Sequence, residues 1–275
     1  MLRPSITTAL VLGTLVARPA LAQADLSSRG APLAQRVAAV RDGTVRLTFT
    51  VRPDVCGNGS NIHIRRDGDD RTRTYRDDSW RRSRDVEWDD DCQTGPGRLA
   101  MDVSGGQVQA VRFYVGGRWR AAGSDVTDLG QVPAPQAAGL LLGLAERGTG
   151  RASRDAVFPS TLVDSVTVWP ALLRLARDDR AERETRSQVV FWLGQAAGDA
   201  ATKGLTELAD DPEREIRDQA VFALSRRPSE EGVPALIRIA RTHRDPATRR
   251  SALFWLGRSQ DPRALALFEE LLTSK

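Results

Sequence analysis

Histidine, cysteine and lysine are all scarce in this chain, with two of each among 275 residues. The two histidines, His63 and His243, fall in different halves. The chain also has no HExxH, no GxSxG and no Gly-rich phosphate loop followed by lysine. A histidine-dependent nucleophile would have to draw His63 or His243 across a domain boundary. Two cysteines without a CxxC spacing supply too few ligands for a metal centre. Acidic residues are plentiful at 36, but most sit beside arginines, and no carboxylate pair of the glycoside-cleaving kind stands out. These absences predict no catalytic residues, no cofactor and no metal.

The scarcity of lysine also explains a misleading pI. All basic residues except Lys203 and Lys275 are arginine. Arginine does not titrate below about pH 12, so a small surplus persists to high pH and raises the sequence pI to 9.6. Residues 23–130 hold 17 basic and 16 acidic groups, and residues 131–275 hold 21 and 20. Neither half is a polycation, which argues against nucleic acid as a partner.

Long hydrophobic runs are missing too, except at the start. Arg3 precedes an uncharged stretch, residues 4–17, with an apolar heart at 6–16 and then Ala20-Leu21-Ala22. A positive start, a short apolar run and a small-x-small site describe a secretory signal peptide over 1–22, cut after Ala22. The run falls short of the roughly 20 apolar residues that a membrane span needs, so no span is expected. The expected destination is the periplasm or the outside of the cell. In that oxidising setting Cys56 and Cys92 are expected to pair as a disulfide. Closing so long a loop would stabilise the fold by about 3–4 kcal/mol in the chain-entropy model.

Residues 33–128 read as a small antiparallel all-β sandwich or barrel. Val45, Leu47, Phe49 and Val51 alternate with Arg46, Thr48, Thr50 and Arg52, the period of a sheet with one buried face. Asp42-Gly43 suggests a hairpin between 36–41 and 44–52, and Ser104-Gly105-Gly106-Gln107 one between 98–103 and 108–115. Shorter strands are expected at 61–65, at 86–88 and around Trp119. The charged stretch 65–91 fails as a calcium loop. From Asp67 the fifth position is Arg71, and from Asp89 the twelfth is Ala100. Mixed-sign solvated hairpin arms are the better account. Pro133 and Pro135 mark 129–136 as a stiff linker.

From residue 137 the period becomes helical, and the chain repeats itself. Thr185-Arg186-Ser187-Gln188-Val189-Val190-Phe191-Trp192-Leu193-Gly194 returns as Thr248-Arg249-Arg250-Ser251-Ala252-Leu253-Phe254-Trp255-Leu256-Gly257, with Ile216 to Arg226 halfway between. A second, amphipathic helix follows each copy, at Leu205, Leu236 and Phe268, with an earlier relative from Leu172 to Ala176. These two-helix units, with Asp211-Pro212 and Asp245-Pro246 before an arginine-bearing first helix, resemble the HEAT-repeat family. They are similar in particular to the short HEAT-like repeat of phycobilisome lyases. The resemblance covers 137–275 and implies an all-α solenoid of about four helix pairs. In the first pair, 137–146 would supply one helix and 148–164 an insertion. The resemblance also implies that Arg186, Arg217 and Arg249 bond to aspartates of neighbouring turns. It does not carry over the lyase activity, because export would separate the chain from cytoplasmic substrates.

Stacked units put Arg174, Glu207, Arg238 and Glu270 at one position of the second helix. The charges alternate, so a ladder of inter-repeat ion pairs is expected there. Trp192 and Trp255 read as packing residues. The favoured function is an exported, non-catalytic scaffold that binds a protein partner on the second-helix face, with Arg177 and Arg241 among the contacts. The alternative is an envelope- or carbohydrate-binding module in which the β domain, through Trp80, Trp88 and Trp119, takes a glycan and the repeats are support.

Overall fold

The computed structural model describes residues 32–58, 61–66, 69–76, 85–88, 91–195 and 199–273. Among the described residues a short helix, α1 (Leu33–Ala38), precedes nine strands. These are β1 (Gly43–Phe49), β2 (Val55–Asn58), β3 (Asn61–Arg66), β4 (Asp69–Arg76), β5 (Val86–Glu87), β6 (Gly97–Ser104), β7 (Gln107–Val115), β8 (Arg118–Trp119) and β9 (Val126–Gln131). The principal sheet runs β7-β6-β1-β9, beside a β2-β3-β4 sheet and a β5-β8 pair. The alternation in β1 does what its period dictates. Val45, Leu47 and Phe49 are fully buried, and Leu47 lies opposite Leu99 of β6. At the β6–β7 turn Gly105 and Gly106 have φ of 58° and 78°, the left-handed pair that a tight hairpin requires. Cys56 and Cys92 form the expected disulfide. Gly57 and Gln93 exchange two main-chain hydrogen bonds beside it.

Three expectations are corrected here. Residues 36–41 are not a hairpin arm, because Leu33 and Val37, one helical turn apart and both 3% exposed, turn α1 onto the core. Gly43 instead permits a close approach: a Cβ there would lie 2.3 Å from the Asp125 carbonyl oxygen, which accepts from the Thr44 N–H. The sheet is also not purely antiparallel, since β9 runs parallel to β1. Finally, the stretch 129–136 is divided between β9 and the first turn of α2 (Ala134–Arg147), which Pro135 enters at a position that tolerates a missing N–H. Val132 between them is buried and donates its N–H to the Thr48 carbonyl.

After α2 come four helix pairs: α3 (Gly150–Thr161) with α4 (Trp169–Arg177), α5 (Arg183–Leu193) with α6 (Asp199–Leu208), α7 (Arg214–Ser225) with α8 (Ser229–Thr242), and α9 (Pro246–Gly257) with α10 (Pro262–Thr273). Most of the segment read as an insertion is α3. Its Val157-Phe158 stands where Val190-Phe191, Val221-Phe222 and Leu253-Phe254 stand in the later first helices. Second helices bury one stripe, as Leu172, Leu175 and Ala176 do in α4 and Leu236, Ile239 and Ala240 do in α8.

The β region and the array share one core. Aromatic rings run in contact from sheet to repeats: Phe49 on Phe113 (5.7 Å), Phe113 on Phe158 (6.4 Å) and Phe158 on Trp192 (4.4 Å). The chain of rings continues through Phe191, Phe222 and Trp255 to Phe254. Main-chain bonds tie the same junction, from the Arg52 N–H to the Leu162 carbonyl and from the Asp164 N–H to the Thr50 carbonyl, both 3.0 Å. The sheet therefore covers one end of the array. Among the described residues no helix is long and apolar enough to cross a membrane.

Candidate functional site

The turns between units hold the repeat arginines. Arg186, 1% exposed, donates through Nε to the Ala176 carbonyl (2.9 Å) and through its terminal nitrogens to Asp211 (2.5 Å) and Glu213 (2.6 Å) of the next unit. Arg217 repeats the pattern with the Asp211 and Pro212 carbonyls, both 2.9 Å, and Asp245 of the following unit (3.2 Å). Arg249 keeps only the carbonyl half, at His243 (2.6 Å) and Arg244 (3.4 Å). In α3 the equivalent residue is Ser153, whose hydroxyl reaches the Ala145 carbonyl (2.8 Å) and Thr185.

A second recurrent group was singled out in the sequence only at Asp245, and not at Glu182 or Glu213. Glu182, Glu213 and Asp245 stand at one position, just ahead of α5, α7 and α9, and each reaches back to the preceding unit. They accept from the Gly150 N–H, from Arg183 and Arg186, and from Arg217. The signal was an acidic residue at fixed distance before Phe191, Phe222 and Phe254. The Ala247 N–H, the Thr248 hydroxyl and Arg217 hold the Asp245 carboxyl below its ordinary range. His243 is likewise consumed in a turn. Its Nδ1 accepts from the Asp245 N–H (3.0 Å), so Nε2 carries the proton donated to the Ala209 carbonyl (2.9 Å), with Asp210 alongside at 3.1 Å.

On the second-helix face, the ladder residues are placed one turn from the expected register. Arg177 of α4 pairs with Glu207 of α6, and Arg241 of α8 pairs with Glu270 of α10. Arg174 reaches instead to the Pro170 carbonyl of its own helix (3.4 Å), and Arg238 makes no ion pair among the described residues. Arg177 and Arg241, expected as partner contacts, are thus engaged inside the array. Alignment places residues by position along a helix and is blind to the stagger between neighbouring helices. That stagger brings the arginine one turn on to the glutamate.

Between α6 and α8 this face opens into a groove of about 570 Å³ lined by Thr202, Lys203, Thr206, Glu207, Glu230, Glu231, Pro234, Ala235 and Arg238. The Thr202 hydroxyl and the buried Arg227 hold Glu231 and depress its pKa. Arg263 of α10 holds Glu230 at 2.9 Å.

The β region offers less room. On the polar side of the principal sheet Arg112 bridges Asp85 (2.6 Å) and Asp102, and Tyr114 donates to Asp85 (2.9 Å). Burial opposes the charge on Arg112, but the hydrogen bonds of the two carboxylates outweigh it and raise its pKa. The guanidiniums of Arg46 and Arg98 lie over Trp119 at 5.3 and 5.4 Å. Burial, then the charge of Arg46, lowers the pKa of Arg98. The cavity there holds about 40 Å³, enough for a water molecule. Of the tryptophans expected to face a glycan, Trp119 is covered by these arginines, Trp88 is exposed, and Trp80 lies outside the described residues.

The sequence model for HEAT repeats matches residues 169–243 and 202–275. No curated protein matches the chain. The β region matches no family model. The paired helices and the recurrent turn arginines agree with this match, and residues 169–275 are similar to HEAT repeats in both sequence and architecture.

Proposed function

We propose that the protein is an exported, non-catalytic scaffold whose second-helix face, centred on the groove between α6 and α8, binds a protein partner. Helical repeat arrays present extended surfaces of this kind. The observation that carries the reading is how the rest of the array is used. First helices pack against one another, turns are closed by Arg186 and its equivalents, and the sheet covers one end, while the α6–α8 groove remains open to solvent. Support for export comes from the apolar leader and from the Cys56–Cys92 disulfide, which suits an oxidising compartment. Support for a non-catalytic role comes from the dearth of histidine and from the structural use of His243.

Because the β region and the repeats share a core, the test uses the whole mature chain. Thr206→Trp fills the groove without changing charge, and Arg226→Glu alters an exposed residue away from it. A partner captured from an envelope fraction by the unaltered chain should be lost with Thr206→Trp and kept with Arg226→Glu. Equal capture by both variants overturns the reading.

A further inference from the structure

The charges around the α6–α8 groove are unequally compensated. Its three glutamates are all spoken for: Glu207 by Arg177, Glu230 by Arg263, and Glu231 by Arg227 and the Thr202 hydroxyl. Its two cations are not. Lys203 on one wall and Arg238 on the other are exposed and make no ion pair among the described residues. Arg174, at the repeat position that Arg238 occupies, extends the row onto α4, and among the described residues it makes a carbonyl contact at 3.4 Å and no ion pair. The lining itself holds three carboxylates and two cations. With the arginines that hold those carboxylates and the Asp261 that shares Arg263 counted in, cations exceed carboxylates by one. The groups left open to a ligand are Lys203 and Arg238.

The α8 wall adds a main-chain feature. Pro234 lies inside the helix and lines the groove. Proline has no N–H, so the Glu230 carbonyl lacks its usual helical donor. An extended chain has main-chain N–H groups to offer such an acceptor, whereas a helix has already spent all but its first few.

We infer that the groove takes an extended acidic segment of a protein partner, with carboxylates on Lys203 and Arg238. This rests on the second-helix face being the interaction surface. Side chains of an extended segment alternate in direction, so carboxylates at every second residue share one side.

The probe is therefore a fluorescein-labelled decapeptide of alternating glutamate and alanine, titrated by anisotropy against the whole mature chain. An alternating lysine and alanine peptide serves as the control. The acidic peptide should bind and the basic one should not. Affinity should fall as salt rises from about 0.05 M to about 0.3 M, because the Debye length shortens. Lys203→Glu with Arg238→Glu should weaken binding by about tenfold or more. The neutral pair Lys203→Ala with Arg238→Ala should weaken it less. Arg226→Glu with Arg250→Glu changes the net charge equally at exposed positions outside the groove and should leave affinity within about twofold. All these side chains are exposed, and thermal melts check that each variant keeps the fold. No binding by the unaltered chain, or equal losses from the groove and remote pairs, overturns the inference. If Thr206→Trp still abolishes capture of the envelope partner in that case, the acidic occupant fails and the face stands. If capture survives Thr206→Trp, both fall together.

Discussion

In the turns between units Arg186 is 1% exposed and joins three groups across two units, whereas on the second-helix face Arg177 is 46% exposed at its side chain and joins one. Both are arginines bonded to an acid of the next unit, and only environment separates them. In the turn, water is excluded and main-chain carbonyls need donors, so a planar guanidinium with several N–H groups satisfies more of the site than any other side chain. On the face, water competes for both partners and the ion pair contributes about 0–1 kcal/mol. The turn arginines hold the stack together. The face arginines hold only the pairing between neighbouring second helices.

The largest test of this contrast is Arg186→Ala. It strands Asp211 in a largely buried turn, leaves Glu213 with Arg183 alone, and should cost about 3–5 kcal/mol in urea unfolding. A loss below about 1 kcal/mol would place the turn and the face in one energetic class. Arg249→Ala comes next, at about 1 kcal/mol, because the last copy bonds only to carbonyls and leaves no carboxylate unpaired. On the face, Glu207→Arg should cost about 0.5–1 kcal/mol by setting like charges together. The rescue sharpens the register: Arg177→Glu should restore the loss and Arg174→Glu should not. Rescue by Arg174→Glu alone would return the ladder to the position that alignment gives.

The two regions also differ in how much of them could be read beforehand. Repetition averages out local accidents, so the helix pairs after Trp169 and the role of Arg186 and Arg217 were legible. Where a copy departs from the pattern, the reading failed. In α3, Ser153 stands in for the turn arginine and Pro159 interrupts the helical period, and the segment passed for an insertion. In the β region, the alternation in β1 and the Gly105-Gly106 turn are local signals and held. Asp42-Gly43 is as strong a local signal and misled, because Leu33 and Val37 gain more from one helical turn against the core than from a hairpin arm. Nothing local could announce that β9 pairs parallel with β1, a contact between distant stretches of chain. The groove was legible only as a face. Its open cations emerge after Arg177 and Arg263 are seen to have claimed the acids.

The smallest predicted effect concerns the acids at the ends of the array. Hydrogen bonds from the Arg263 side chain and N–H hold the Asp261 carboxyl down at about 2, and Asp245 is held low by Ala247, Thr248 and Arg217. A carboxylate whose folded pKa lies below its unfolded value binds fewer protons in the folded chain. Its contribution is therefore complete above the unfolded pKa of about 4 and is lost as pH falls toward the folded value. The melting temperature should stay flat from about pH 7 to about pH 5 as far as these groups are concerned, and then decline toward about pH 2. Asp261→Asn should lower stability at neutral pH and flatten that decline, with the two curves converging at the acid end. The Asp261 side chain is nearly as covered as that of Asp211, but its Arg263 partner stands two residues away on the same turn, so its share should be smaller than that of an acid that joins two units. Asp211→Asn, which removes a bond between units, should therefore lower stability at neutral pH more than Asp261→Asn does in urea unfolding, and the reverse order would mean that bridging units is not what ranks these acids.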